Sequence, residues 1–277
     1  NSLQKAKEFF RPNLDLLHDP FLMKDMDKAV DKIQKSKSNR IMILGDYDVD
    51  GTTSTAMLYK YFNDIGFDIL IYIPDRYKEG YGVSNKSIEY AETNNVSLII
   101  TVDCGIKALE QVDLANSKNI EVIILDHHLP DQKMPNAYAV INPKQSECKY
   151  PFKDLCGCGI GYKLITAYNT TFNNLTDVFQ FLDFVALATI SDMMPLVGEN
   201  RLMVFYGLKL LNTTPRIGLR NFIRSINGVI DESHVSFNIG PRINAAGRMK
   251  NGKIIVNLLI ENDPDTANNL SNEIEFL

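Results

Sequence analysis

Residues 40–59 read RIMILGDYDVDGTTSTAMLY. An apolar run over residues 41–44 leads into three aspartates at alternate positions, Asp46, Asp48 and Asp50, and then into Gly51, Thr52, Thr53 and a segment with apolar residues at helical intervals. The pattern predicts a strand, an acidic loop and a helix. A strand this apolar is buried on both faces, which points to a parallel sheet with a crossover helix behind it. Like charges a few ångströms apart repel by roughly 4 kcal/mol per pair at an effective dielectric of about 20. Three carboxylates gathered in one loop therefore call for a cation.

Three kinds of site use such a string. A calcium-binding EF-hand loop fits Asp46, Asp48, Asp50 and Gly51, but its twelfth place needs a bidentate Glu, and here that place is Met57. An aspartyl-phosphate phosphatase of the haloacid dehalogenase type fits residues 48–52 with Asp48 as nucleophile, yet leaves Asp46 and the histidines below unexplained. An ordinary acidic turn capping the helix through Thr52 or Thr53 explains a lone loop, and loses ground only if partners occur elsewhere.

Partners do occur. Gly66 ends the first helix, residues 68–73 form a second strand, and Ser84 caps a helix running to about residue 94. Residues 97–102 are apolar and β-branched and stop at Asp103-Cys104-Gly105; after a helix over residues 107–117, the strand 120–125 stops at Asp126-His127-His128. Successive βαβ units lie in one parallel sheet, and ligands of such sheets bind beyond the carboxyl ends of the strands. Every acidic or imidazole cluster falls at that end. Imidazole with carboxylates suits Mn²⁺, and carboxylates also accept Mg²⁺; Asp126 is placed to orient a ligating ring. A further apolar helix delivers Asp192 just before Pro195 stops it, which adds a fourth acidic site.

The net charge of −5 argues against a nucleic-acid binder, but the average misleads. Residues 1–40 carry nine Lys or Arg against six acids, and residues 201–253 have a net charge of +7. An acidic centre flanked by basic segments suits a phosphate-rich substrate. The loop over residues 74–82 is polar and aromatic, with Arg76 available to a phosphate and Tyr77 or Tyr81 to a base. Cys104, Cys148, Cys156 and Cys158 lack paired zinc spacing and are expected to be reduced thiols; Cys156-Gly157-Cys158-Gly159 reads more simply as a glycine-rich helix entry than as a redox motif. No apolar run approaches the ~20 residues that span a bilayer, so a soluble, cytoplasmic protein without membrane partners is expected. Residues 1–39 read as scaffold helices, with a break at Asp19-Pro20.

The ordered strings Asp46-Tyr47-Asp48-Val49-Asp50-Gly51, Asp103-Cys104-Gly105, Asp126-His127-His128 and Ser191-Asp192 ahead of Pro195-Leu196 resemble the four motifs of the DHH phosphoesterase family. Residues 74–84, 155–164 and 240–249 are similar to its branch of single-stranded-DNA-specific exonucleases, and the resemblance runs over nearly the whole chain. It implies an α/β fold, a parallel sheet of about five strands flanked by helices with a helical C-terminal extension. The catalytic domain would cover residues 1–260, with its sheet core at about 40–145 and a helical part at about 155–260. Residues 261–277 would begin a connecting helix to a second domain outside this chain, which reads as part of a longer protein.

The resemblance further implies two Mn²⁺ or Mg²⁺ ions, with Asp48 on one, Asp50, His127 and Asp192 on the other, Asp103 bridging, and Asp46 or water completing the first. Such a pair activates a water and holds both the attacking and the leaving oxygen of a phosphodiester. His128, beside Asp126, would face the phosphate as donor or proton source. Arg242, Asn244 and Arg248, in a loop bracketed by Gly240, Pro241 and Gly247, would clamp a phosphate. The expected activity is 5′-to-3′ degradation of single-stranded DNA to mononucleotides in repair and recombination. A single-stranded-DNA-binding protein or a helicase would be met through regions outside the chain. Two alternatives are a DHH hydrolase of short oligonucleotides, cyclic dinucleotides or pyrophosphate, and a catalytically silent replication scaffold of the same fold.

Overall fold

The computed structural model describes residues 10–249 and 251–275. Its centre is a five-stranded, all-parallel sheet of β1 (Arg40–Gly45), β2 (Ile69–Tyr72), β3 (Val96–Val102), β4 (Glu121–Leu125) and β5 (Ala139–Ile141), in the order β2-β1-β3-β4-β5. The expected sheet is therefore present. Four strands are where the apolar runs predict them, and β5 is a three-residue strand too short to carry a periodic signal. Residues of β1 alternate between two apolar layers: Ile41 and Ile43 face one, Met42 and Leu44 the other. That two-sided burial is why the run has no polar alternation.

Helix α1 (Met26–Lys35) precedes the sheet, and α2 (Val49–Asp64), α3 (Asn85–Thr93) and α4 (Leu109–Ser117) connect its strands. Ile88 and Ala91 of α3 and Val112 and Ala115 of α4 cover the layer of Met42 and Leu44. The thicker layer contains α2 together with α5 (Gly157–Thr171), α6 (Leu182–Ser191) and α7 (Gly198–Leu211). Beyond these lie α8 (Ile217–Ile223), α9 (Gly240–Met249), α10 (Lys253–Ile260) and α11 (Pro264–Glu275). Helix α11 turns Ala267, Ser271 and Ile274 inward and packs on α8.

Three expectations need correction. Helix α2 begins at Val49, three residues before the expected start, because the side chain of Asp48 accepts the Gly51 amide (2.9 Å) and caps it in place of Thr52 or Thr53. The N-terminal scaffold is two 3₁₀ turns, Leu14–Leu16 and Pro20–Leu22, ahead of α1, with residues 1–9 outside the described residues. Residues 240–249 are a helix rather than a loop, entered through a π-helical turn, Val235–Ile239. Pro241 cannot donate to the helical ladder, and it stands just after the π-helical turn where the hydrogen-bond register changes.

Sheet topology puts the site in place. Strands β1, β3 and β4 are neighbours, and their carboxyl ends release Asp46, Asp103 and Asp126 side by side at the roughly 4.8 Å strand spacing. The chain leaves β1 toward β2 on one side and returns to β3 on the other, so the acidic loops flank the switch point, where the ends of neighbouring strands splay apart.

Away from that edge a buried polar knot ties the N-terminal segment to the helices. Glu199, 1% exposed, accepts from Lys163 Nζ (2.5 Å), Tyr150 OH (2.5 Å) and the His18 amide (2.7 Å), while Lys163 Nζ also donates to the His18 carbonyl (2.9 Å). Glu199→Ala strands a buried ammonium and should cost about 3–5 kcal/mol of unfolding free energy. Asp31→Ala, which breaks an exposed i,i+4 pair with Lys35, should cost under about 0.5 kcal/mol. Urea titration of the two variants measures the contrast.

Candidate metal centre

The strand ends and three helices bring the sequence-predicted side chains together. His127, 6% exposed, points Nε2 at Asp103 Oδ1 (3.1 Å), Asp192 Oδ2 (3.6 Å) and Asp50 Oδ2 (3.9 Å). Asp46, Asp48 and Asp103 offer a second group of oxygens within 4.8 Å of one another, and His128 joins Asp103 and His127 in a third. Two three-donor groups, Asp50/His127/Asp192 and Asp46/Asp48/Asp103, thus adjoin where His127 Nε2 approaches Asp103 Oδ1.

Local structure explains each position. Asp103 sits at the end of β3 with φ of 60°, a left-handed conformation that Asp tolerates better than most residues. Its carbonyl accepts the Tyr81 hydroxyl at 2.8 Å. Asp50 lies in the first turn of α2, and its two oxygens accept the amides of Gly157 (2.6 Å) and Cys158 (2.7 Å) at the N-terminus of α5. A side chain at Gly157 would place its Cβ 2.8 Å from Asp103 Cβ, so only glycine lets α5 approach this closely. The glycine-rich helix entry is the right reading of residues 156–159, but its role in holding Asp50 was invisible in sequence, since the contact spans 107 residues. Asp192 is the C-cap of α6 and leans over His127.

Asp126 holds His128 rather than His127. Its Oδ1 accepts the His128 amide (3.0 Å) and lies 2.8 Å from His128 Nδ1, and its Oδ2 accepts the Ile106 amide (2.9 Å). The ligand-orienting role expected of Asp126 thus falls on the neighbouring ring. His127 Nδ1 is buried with no hydrogen-bond partner among the described residues, and so is Asp46 Oδ1.

The residues expected to contact nucleic acid divide. The Arg76 guanidinium lies over the Tyr47 ring at 5.2 Å, close enough for its charge to be felt at Asp46. Tyr81 keeps a half-exposed ring edge-on to His128, with its hydroxyl engaged at Asp103, and Tyr77 is exposed. Arg248 is exposed, and its charge is felt at Tyr47. Asn244 Oδ1 accepts the Val49 amide at 3.1 Å and so fixes the start of α2. Arg242 departs from the expected clamp: it donates to Glu275 (2.9 Å) and to the Phe222 carbonyl (3.2 Å) and stacks on the Phe222 ring. Because residues 240–249 are helical, Arg242 and Arg248 do not share a loop. What α9 does contribute is closeness, since a Cβ on Gly247 would sit 2.2 Å from the Tyr47 carbonyl.

Crowding of charge shapes the titration. Burial, then the charge of Asp48, raises Asp46 to about 7; burial, then the charges of Asp50 and Asp48, raises Asp192 to about 7. Burial and the charge of Asp50 raise Asp48, and burial with both neighbours raises Asp103 well above the carboxylate range. Burial lowers His127, which keeps its ring neutral and its lone pair free for an ion. The hydrogen bond to Asp126 raises His128. Burial pushes Asp126 up, but its hydrogen bonds from His128 and Ile106 outweigh that and hold it below the usual range.

These shifts have a sign that can be measured. Asp46 and Asp192 bind protons more tightly folded than unfolded, so their contribution to stability is full below about pH 4 and disappears as the pH rises to about 7. In EDTA the Tm should therefore fall between pH 5 and about 7.5. Mn²⁺ should reverse the fall and release protons on binding, because it takes deprotonated ligands. Calorimetry in two buffers of different ionisation enthalpy reads that release; a Tm independent of both pH and Mn²⁺ would contradict the arrangement.

The comparisons agree with this geometry. Residues 40–189 match the DHH family, N-terminal domain. The chain is 39% identical over 282 residues to the single-stranded-DNA-specific exonuclease RecJ of Bacillus subtilis, covering 100% of this chain and 35% of that protein. Against RecJ of Escherichia coli the identity is 33%, over 91% of this chain and 47% of the relative. The chain thus spans about a third to a half of the length of these curated relatives. Among solved structures, exonuclease RecJ bound to manganese superposes with a TM-score of 0.87 at 31% identity, covering 95% of this chain and 67% of that one. RecJ of Thermus thermophilus in complex with Mn²⁺ gives 0.85 at 29% identity, covering 98% and 39%. With its ordered acidic motifs closing on one another at the carboxyl edge of a parallel sheet, and the family match spanning the strands that carry them, this chain belongs to the DHH family.

Proposed function

We propose that the chain is the catalytic part of a Mn²⁺- or Mg²⁺-dependent exonuclease that hydrolyses single-stranded DNA from the 5′ end to mononucleotides. The observation that carries the reading is the pair of adjoining three-donor groups, Asp46/Asp48/Asp103 and Asp50/His127/Asp192, joined where His127 Nε2 lies 3.1 Å from Asp103 Oδ1, with the half-exposed His128 beside them. The relatives' names supply the substrate, single-stranded DNA.

The donor set fits divalent ions. Carboxylates and one imidazole suit Mn²⁺ and Mg²⁺, and the buried Asp46 Oδ1, unpartnered among the described residues, is a polar atom that an ion would satisfy. Asp46, Asp48 and Asp103 would hold one ion, and Asp50, His127 and Asp192 the other. When bound, the ions supply charge neutralisation at the phosphate and a water activated at neutral pH.

The chain's own residues do the rest. The amides of Gly157 and Cys158 fix the plane of the Asp50 carboxylate, and Tyr81 fixes the Asp103 backbone. Asp126 engages His128 Nδ1 and favours the imidazolium, which leaves Nε2 to donate a proton to the leaving oxygen. Arg76, stacked on Tyr47, offers a planar pair of donors to a phosphate. Arg242 has no part in this scheme.

End-labelled single-stranded DNA, RNA and dinucleotides, incubated with and without Mn²⁺, test the reading. Single-stranded DNA should be degraded only with the metal, and Asp103→Ala should reduce hydrolysis to background. Retention of wild-type turnover by that variant would overturn the site assignment. His128→Gln should lower kcat by about 10²- to 10⁴-fold. The wild-type rate should decline as the pH rises through the raised pKa of His128, and the variant should lose that alkaline limb.

A further inference from the structure

A cavity of about 1040 Å³ opens on the His128 side of the metal centre, between the N-terminal turns of α3 and α4. Four ammonium groups line it, Lys78, Lys86, Lys107 and Lys144, against two carboxylates, Glu79 and Asp126. The carboxylates are already saturated. Glu79 accepts from Tyr72 OH (2.7 Å), Ser84 Oγ (2.7 Å) and the Asp75 amide (3.0 Å), and Asp126 accepts from His128 and Ile106. The lysines are not. Lys78 and Lys107 reach Asp75 and Asp131 only at 3.5 and 3.8 Å, and Lys86 and Lys144 form no ion pair among the described residues. Lys144 is half-buried and near enough to the centre for its charge to be felt at His127 and Asp192, whereas Lys86 lies at the α3 end beside Glu79. A positive wall thus runs outward from the acidic centre. Its size is at the upper end of the range for pockets that enclose a small organic ligand, far more than one phosphate needs.

We infer that this cavity is a nucleotide-sized anion site in which Lys144, near the centre, and Lys86, at the α3 end, each hold a phosphate other than the one positioned at Asp103 and His127. The identity of the anion, a nucleotide phosphate, rests on the nuclease reading; the site itself rests on the unpaired lysines and the saturated carboxylates. Neither lysine belongs to the donor set of the metal centre, so their removal separates substrate holding from chemistry. The apolar Leu129, 71% exposed at the rim, gives a base or sugar a surface to lie against.

The probe is thymidine 5′-monophosphate compared with thymidine, titrated calorimetrically into the protein in Mg²⁺ and again in EDTA. The monophosphate should bind at least about tenfold more tightly than the nucleoside in both, a difference a charge-assisted phosphate contact readily supplies. The double variant K86Q/K144Q should erase the preference, and K37Q/K209Q, outside the cavity, should keep it. On labelled single-stranded DNA, K86Q/K144Q should raise KM about tenfold with kcat within about twofold. It should also flatten the slope of log affinity against log salt by about 1.4, the loss of two single-strand phosphate contacts. Equal binding of monophosphate and nucleoside, or wild-type binding by K86Q/K144Q, overturns the inference even where Asp103-dependent hydrolysis persists. Absence of DNA hydrolysis by the wild type counts against the nuclease reading instead and leaves the thymidine comparison standing.

Discussion

The structure depends on keeping several carboxylates together where they repel one another. Asp46, Asp50 and Asp103 are each about 2% exposed, and their mutual charge and lost hydration favour the protonated forms. Left alone, such a cluster would splay or neutralise. The fold resists with fixed dipoles and covalent geometry. The start of α5 aims two amides at Asp50, the Tyr81 hydroxyl pins the strained turn at Asp103, and Asp48 is locked as the cap of α2. None of these contacts removes the negative charge, so the cluster remains an acceptor for cations.

The helical half of the chain gains its purpose from that constraint. A parallel sheet supplies strand ends at fixed spacing, but on one edge only, and an ion centre needs donors and supports from above as well. Helix α5 enters over Asp103 because residue 157 is glycine, α6 ends in Asp192, and α9 lies on the Tyr47 carbonyl because residue 247 is glycine. Asn244 on α9 then ties the first amide of α2. Burial of the apolar face of each helix stabilises the fold, and its terminus or closest approach is what reaches the site.

Much of this was legible in the residues. Uninterrupted β-branched runs ending in Asp gave away the strands, their shared sheet and the edge on which ligands gather, because a doubly buried strand has few sequences open to it. The convergence of Asp50, Asp103 and His127 followed from the handedness of βαβ units, whereas Asp192, on a helix outside those units, was joined to them through the family resemblance. What stayed hidden were contacts with no local signal. The short β5 has too few residues for a period, Asp50 meets α5 across a hundred residues, and Asp126 pairs with the second histidine because the backbone after β4 turns that ring toward it. Arg242 misled for a related reason. A stretch rich in Gly and Pro reads as a loop, yet here the glycines serve helix packing and the arginine falls on the face turned to Phe222 and Glu275.

A net charge of −5 does not prevent an anion-binding face once charge is sorted by where it points. The buried aspartates direct their fields into a small volume, where a divalent ion or a proton neutralises them within a few ångströms. The carboxylates on the cavity wall, Glu79 and Asp126, are engaged by donors, while Lys86 and Lys144 form no ion pair among the described residues. Fields at distances beyond a Debye length of roughly 8–10 Å are screened in any case. An anion approaching this face therefore meets the lysines at the mouth before the buried aspartates, and the acid excess counted along the chain has little bearing on that encounter.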